Sequence, residues 1–170
     1  MNGSLMQPAF AHHTWATTRV VEACFGLDDE QLQTNVPGTR GPIIETLRHV
    51  IYGDAGYLYY LTHDGSFDVD LDAASLGELR EAAERFGAAW QSYLAQPLDP
   101  DQMVKEVDES DGFERLAPIG LRLAAALQHG TDHRSQISTA LTTLGMQPPT
   151  IDVWQFGIAT GRTVEMMPGG

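Results

Sequence analysis

Apolar side chains recur at intervals of three and four residues in four separate stretches of this chain. Such spacing is typical of helices with one buried face. Prolines 8 and 42 suit the first turns of the first two stretches, and glycine or proline follows the end of each stretch. The pattern predicts helices over about residues 9–26, 42–62, 75–96 and 121–144.

The third predicted helix has the clearest amphipathic pattern. It begins with Ser75 and Glu78, which have the spacing of a capping box, and Pro97 ends it. Its apolar stripe consists of Leu76, Leu79, Ala83, Phe86, Trp90 and Tyr93. The aromatic members follow the stripe without interruption, so we assign them to the core and not to a cofactor site.

Two segments lack the helical pattern. Residues 98–118 are polar and rich in turn-forming residues, with one short extended piece at Met103–Val107. A connection of this length allows two helices of a bundle to run parallel. Beyond the last predicted helix, we expect Trp154 and Phe156 to pack onto the bundle and the tail from about residue 157 to be mobile.

The composition limits the partners and the location of the protein. Hydrophobic residues make up 42% of the 170 residues, which suits one globular domain spanning residues 1–170. Acidic residues outnumber basic ones by 23 to 10, and a net charge of -13 disfavours nucleic acid and anionic membranes as partners. No apolar stretch is long enough to span a bilayer and the N-terminus has no signal-peptide pattern, so we expect a cytoplasmic protein.

His129 and His133 are the most informative polar residues. They lie four positions apart in a stretch predicted to be helical, which places both imidazoles on one face. Two imidazoles alone hold a divalent metal weakly, so a metal site needs a third ligand. The single cysteine, Cys24, lies on a buried stripe with no basic neighbour and is expected to be an inert core thiol. Any metal ligands in this chain are therefore nitrogen or oxygen atoms.

His49 is the candidate for the third ligand. At about 100° per residue it faces away from the main apolar stripe of the second predicted helix, on the same side as Gly53 and Gly56. Two glycines inside a helix indicate that another group closely approaches the backbone there. A hydrogen-bonded core histidine is the alternative for His49. For His12 and His13 we favour solvated or half-buried imidazoles over metal ligation.

Several features together resemble the DinB/YfiT-like family of DNA-damage-inducible, metal-dependent proteins. These features are a histidine within Thr46-Leu47-Arg48-His49, the histidine pair followed by Arg134-Ser135-Gln136-Ile137, and Gly-Met-Gln-Pro-Pro at 145–149. The resemblance covers nearly the whole chain. In place of the asparagine that family members commonly have two residues before a Trp-Ala pair, this chain has His13, and Ser135 replaces a usual glycine.

The resemblance implies an all-α fold, a four-helix bundle of up-down-down-up order with the long connection between its third and fourth helices. It also implies a divalent metal ion held by His49, His129 and His133, commonly in a homodimer. Zinc or nickel is the first expectation for the ion, followed by iron or manganese. Asp132 or Gln136 could orient the imidazole rings. No catalytic or cofactor-binding residue beyond the three histidines is assigned.

Three neutral imidazoles leave one coordination position for a small-molecule substrate, as in catalytic zinc sites. A thiol or water bound there loses its proton near neutral pH and becomes a nucleophile. The first hypothesis is an enzyme that transfers a low-molecular-weight thiol to a small electrophile, or isomerises one, as some relatives in the family do. The alternatives are a metal-dependent hydrolase and a stress protein that binds a metal or small ligand without turnover. Most of the closely spaced tyrosines at 52, 57, 59 and 60 are assigned to packing, although one hydroxyl could face the substrate.

Overall fold

Four long helices make up most of this computed structural model, which describes residues 5–107, 112–164 and 166. In chain order the helices are α1 (Met6–Cys24), α2 (Asp29–Leu32), α3 (Ile43–Thr62), α4 (Leu76–Leu94), α5 (Ile119–Thr143) and α6 (Val153–Ala159). The four predicted helices are confirmed as α1, α3, α4 and α5, with ends shifted by a few residues. The short helices α2 and α6 had no prediction. None of the described helices is both long and apolar enough to cross a bilayer.

The chain is mostly helical, but the expectation of an all-α fold missed a small sheet. Strand β1 (Met103–Val107) pairs antiparallel with β2 (Glu114–Pro118), so that Met103 lies opposite Pro118. The extended piece predicted at β1 is confirmed. Strand β2 has no alternating apolar pattern in Glu-Arg-Leu-Ala-Pro, which explains why it had no prediction. The acidic stretch between the two strands includes residues 108–111, which lie outside the described part of the chain.

Local signals set the ends of the helices that matter for the site. The side chain of Ser75 accepts a hydrogen bond from the Glu78 amide, and the Glu78 carboxylate accepts one from the Ser75 amide, which confirms the predicted capping box of α4. At the end of α5, Gly145 adopts a φ of 76° and the Met146 amide donates to the Leu141 carbonyl at 3.0 Å. This is a Schellman motif, in which glycine takes the left-handed position at little cost.

The hydrophobic core lies between the four long helices. Helices α1 and α3 each pack against both α4 and α5. Phe86 and Trp90 of the predicted α4 stripe are fully buried, as assigned. Cys24 is also buried, and burial raises the pKa of its thiol to about 12, which agrees with the prediction of an inert core thiol.

The segment after α5 confirms one packing prediction and contradicts another. Phe156 is 6% exposed and its ring centroid lies 5.5 Å from that of Trp15 on α1, as expected. Trp154 is 74% exposed, so the expectation that it packs onto the helices is wrong. The two residues are two positions apart and therefore face opposite sides of α6. Helix α6 extends past residue 157 to Ala159, while residues 165 and 167–170 of the expected mobile tail lie outside the described part.

A buried polar network crosses the core and contains His13, Asp54 and Arg134. Nε2 of His13 lies 2.9 Å from Oδ1 of Asp54, and Nη1 of Arg134 lies 3.1 Å from Nδ1 of His13. A guanidinium only donates hydrogen bonds, so Nδ1 of His13 carries no proton and Nε2–H donates to the carboxylate. His13 is therefore a neutral imidazole between a guanidinium and a carboxylate. The expectation of a solvated or half-buried His13 is wrong, whereas His12 is half-buried and donates to the Ile151 carbonyl at 2.8 Å.

The same network joins all four long helices. The indole of Trp90 on α4 donates to Asp54 on α3 at 3.2 Å, and Arg134 on α5 donates to the hydroxyl of Thr17 on α1 at 3.0 Å. Burial lowers the pKa of Arg134 to about 10, which leaves the guanidinium charged at neutral pH. Removing one partner of such a buried pair leaves the other charge without compensation, at a cost of about 3–5 kcal/mol.

We expect Asp54→Asn to lower the free energy of unfolding by about 3 kcal/mol or more, because Arg134 then lacks its buried counter-charge. Urea unfolding followed by circular dichroism measures the change. The matched control is Asp132→Asn, which removes an exposed carboxylate that accepts a hydrogen bond from Gln128. That variant should stay within about 0.5 kcal/mol of the wild type. Equal stability of the two variants would contradict the role given to Asp54.

Candidate metal centre

The three histidines that the sequence singled out lie together between α3 and α5. His49 projects from α3, and His129 and His133 project from one face of α5. One ring nitrogen from each lies within 4.8 Å of the others. Nε2 of His49 and Nε2 of His129 are 3.0 Å apart, and the ring centroids of His49 and His133 are 4.7 Å apart. The cluster therefore has the arrangement expected of three ligands to one ion.

The dimensions of the cluster fit a single divalent ion. In a tetrahedral zinc site with Zn–N bonds of about 2.0–2.1 Å, two ligand nitrogens lie about 3.3 Å apart. The separation of 3.0 Å between the His49 and His129 nitrogens is close to this value, and the ligand nitrogen of His133 lies within 4.8 Å of both. All three imidazoles are half-buried, so the cluster is not sealed off from solvent.

The protonation state of the cluster also suits a metal, which needs unprotonated imidazole nitrogens. Partial burial lowers the pKa of His49 to about 4, with further lowering by the positive charge of Arg40 and by the other two histidines. Burial lowers the pKa of His129 to about 4 as well, assisted by His133 and opposed by the Asp54 carboxylate. Both rings are therefore neutral at physiological pH and have lone pairs to offer.

Gly53 provides the space in which His129 sits. Gly53 lies one helical turn after His49 on α3, and a Cβ atom there would overlap the imidazole of His129, lying 2.8 Å from its Nδ1. The prediction that a group closely approaches the backbone is therefore confirmed at Gly53. It is not met at Gly56, where a Cβ would have no other atom within 4 Å.

Gln136 orients one ligand and joins it to a loop. Its side-chain oxygen lies 3.2 Å from Nδ1 of His133 and accepts a hydrogen bond from the Arg40 amide at 2.9 Å. With Nδ1–H donating to Gln136, Nε2 of His133 is left with a free lone pair for the cluster. Asp132, the other residue considered for this role, instead pairs with Gln128 on the surface. The sequence could suggest this orienting role because Gln136 lies three residues after His133, about one helical turn away.

Of the four closely spaced tyrosines, Tyr57 lies beside the cluster. Its ring centroid is 6.2 Å from that of His129, and burial raises the pKa of its hydroxyl, which stays protonated at neutral pH. Tyr52 and Tyr59 are exposed, so packing in the core does not explain them. The hydroxyl of Tyr60 donates to the Val107 carbonyl and so attaches β1 to α3.

Arg40 is a residue of this site that the sequence did not single out. It lies in the turn-rich loop before α3, where its backbone is held by Gln136, and its charge lowers the pKa of both His49 and His129. No spacing rule connects a loop arginine with histidines on two helices. The hydrogen bond to Gln136, across 96 positions of the chain, can be seen only in the fold.

The sequence profile of the DinB family matches residues 1–163. This chain belongs to the DinB family. A comparison with curated proteins found no match. Within this DinB chain, the three adjoining histidines allow a metal site, and the family assignment agrees with the resemblance noted from the histidine motifs.

We expect Gly53→Ala to weaken the binding of a divalent metal by at least about tenfold, because the new methyl group must push the His129 ring out of the cluster. Competition with a chromophoric chelator measures the affinity. The control is Gly56→Ala on the same helix, which should keep the wild-type affinity and be more stable by about 0.5–1 kcal/mol. A folded Gly53→Ala protein with unchanged affinity would show that His129 is not a ligand.

Metal binding at about pH 5.5 should release at most one proton per ion. A pKa of about 4 leaves both His49 and His129 unprotonated at that pH, so neither has a proton to lose. Imidazoles with the ordinary pKa of about 6.5 would be mostly protonated there and would release their protons. Calorimetric titration with zinc in two buffers of different ionisation enthalpy counts the protons. Release of two or more would mean that the pKa values of these ligands are not lowered.

Proposed function

We propose that this DinB family chain is a divalent-metal-dependent enzyme whose ion is held by His49, His129 and His133. The observation that supports the proposal most strongly is the meeting of three half-buried imidazoles from two helices within 4.8 Å, two of which, His49 and His129, have a lowered pKa. Zinc or nickel suits such a nitrogen donor set. When bound, the ion supplies Lewis-acid activation, which makes a thiol or a water molecule at its open position a nucleophile near neutral pH.

The reaction that we favour is the transfer of a low-molecular-weight thiol to a small electrophile. In this reaction a carbon–sulfur bond forms, the bond from that carbon to its leaving group breaks, and the leaving group departs with the electron pair. The thiol proton passes to solvent. Isomerisation assisted by a thiol would instead begin with addition of the thiolate to an activated carbon–carbon double bond. It would end with elimination of the same thiolate after rotation about the resulting single bond.

The residues around the cluster have roles that suit this chemistry. Gln136 holds His133 in one tautomer, and Gly53 leaves room for His129. The Arg40 guanidinium is close enough to affect the histidines and is exposed, so it can attract a carboxylate on an incoming thiol or electrophile. Tyr57 is protonated and can donate a hydrogen bond to a substrate atom beside His129.

The family assignment and the contacts between helices also support an up-down-down-up four-helix bundle. Thr14 lies against Gly87, and Phe10 lies against Trp90. Earlier residues of α1 thus meet later residues of α4, as expected for antiparallel helices. His13 lies against Gly130 and Thr17 binds Arg134, which suits parallel α1 and α5. In this order the parallel neighbours are α3 and α4. The long connection after α4 then joins antiparallel helices, contrary to our expectation, and contains the β1–β2 pair. A homodimer is part of the same proposal.

The first test measures metal content and thiol transfer in the same preparations, purified without added metal. We expect about one metal ion per chain in the wild type, and metal-dependent conjugation of chlorodinitrobenzene with mycothiol, bacillithiol or glutathione. His49→Ala and His129→Ala should each lose the metal and at least about 100-fold of the conjugation rate, because the activated thiol is lost. Atomic emission and absorbance assays provide the two measurements.

The control variant is His63→Asn, which removes an exposed imidazole outside the cluster at a left-handed position that asparagine tolerates. It should retain both metal and activity. Metal retained by His49→Ala would contradict the three-ligand site. Stoichiometric metal without conjugation of any thiol would contradict the transferase. Metal-dependent turnover of an ester, amide or phosphate panel would then identify a hydrolase, and its absence would leave a non-catalytic binding protein.

A further inference from the structure

A cavity lies on the other side of α5 from the histidine cluster. It is bordered by the first half of α1, the middle of α5 and helix α6, and its volume is about 640 Å³. Leu127, Thr131 and Arg134 reach it from α5 at spacings of four and three residues, so they share one helical face. His129 is two positions from Leu127 and from Thr131, so it points away from this cavity. A ligand here would not contact the metal centre.

The walls of this cavity are mainly apolar and have the size of a small-molecule site. Ligand pockets commonly have volumes of about 300–1,000 Å³ and combine apolar walls with a few polar groups. The apolar wall consists of Pro8, Ala9, Leu127, Val153, Trp154 and Phe156. Trp154, which was predicted to pack onto the helices but is 74% exposed, also lines this cavity. A ligand in the cavity would cover part of its side chain.

The charged groups of the cavity are both positive. The buried Arg134 lines its inner side, and the exposed Arg162 lies on its outer side with the guanidinium carbon 5.3 Å from the ring centroid of Phe156. No aspartate or glutamate occurs among the described residues that line it. The carboxylate nearest to Arg134 in its network, Asp54, lies beyond the His13 ring. The one exposed charge among the described lining residues is therefore the Arg162 guanidinium, which lies beside an apolar wall in a chain with a net charge of -13.

We propose that this cavity binds a small organic anion, in which a carboxylate, sulfonate or phosphate group is attached to an aromatic or branched apolar body. The anionic group lies toward Arg162 and Arg134, and the apolar body lies against Leu127, Phe156 and Trp154. The site is separate from the metal centre and does not depend on the proposed thiol chemistry. Its volume suits a ligand of one or two rings.

The test compares two fluorescent probes that share one ring system and differ in charge. Anilinonaphthalene sulfonate has a sulfonate group, whereas N-phenyl-naphthylamine has none. In the presence of a chelator that removes divalent metal, we expect the sulfonate to bind the full-length chain with one-to-one stoichiometry and to bind more tightly than the neutral probe. Arg162→Gln should weaken binding of the sulfonate about fivefold and leave the neutral probe unchanged.

Two further variants make the outcome specific to the cavity. Arg19→Gln removes another exposed arginine, which lies over the Trp15 ring outside the cavity. This variant should change the affinity for neither probe. Ala9→Phe fills the cavity from α1 and should abolish binding of both probes, with its fold checked by thermal unfolding. Equal affinity of the two probes, or an Arg162→Gln effect matched by Arg19→Gln, would overturn the anion site. Sulfonate binding that persists in a folded Ala9→Phe protein would place the probe elsewhere and would also overturn it.

Discussion

The close contact between α3 and α5 at Gly53 is the constraint on which the candidate metal centre depends. His49 and Gly53 are one turn apart on α3, and His129 and His133 are one turn apart on α5. The ring of His129 occupies the space that a side chain at position 53 would fill. A larger residue there would separate the helices or turn the ring, and either change would move the imidazoles apart. Next to His129 on α5, Gly130 accommodates the ring of His13 in the same way.

The carboxylate of Asp54 is held by other partners and does not belong to the histidine cluster. Asp54 lies on the same helix as His49, but its oxygens accept hydrogen bonds from His13 and Trp90. Arg134, which directly follows His133, compensates the charge of Asp54 across the His13 ring. His13 thereby links these two buried charges through its two ring nitrogens. Imidazoles that bind a metal do so as neutral groups, so an ion held by these three histidines would keep its full charge to polarise a substrate.

Periodicity and end signals were sufficient to predict the four long helices, because each has a continuous apolar stripe and a local stop or cap. The histidine cluster could be predicted in part: the spacing of four placed His129 and His133 together from the sequence. His49 was a candidate from its helix face and the nearby glycines, but choosing a ligand over a core histidine required the family resemblance, since no local rule relates two helices 80 positions apart in the chain. The buried His13–Asp54–Arg134 network was missed for the same reason. Each member looks like a surface residue by type, and its partners lie on other helices. Strand β2 and the exposed Trp154 were missed because short elements have too few residues to show a period.

The central claim is that three imidazoles, one from α3 and two from α5, ligate a single divalent ion. X-ray absorption spectroscopy at the metal edge, on protein purified without added metal, tests this most directly because multiple scattering counts the imidazoles around the ion. The account predicts three imidazole nitrogens at about 2.0–2.1 Å if the ion is zinc, with one or more lighter-atom ligands completing the shell. A shell with fewer than three imidazoles, or one dominated by carboxylate oxygens, would contradict it.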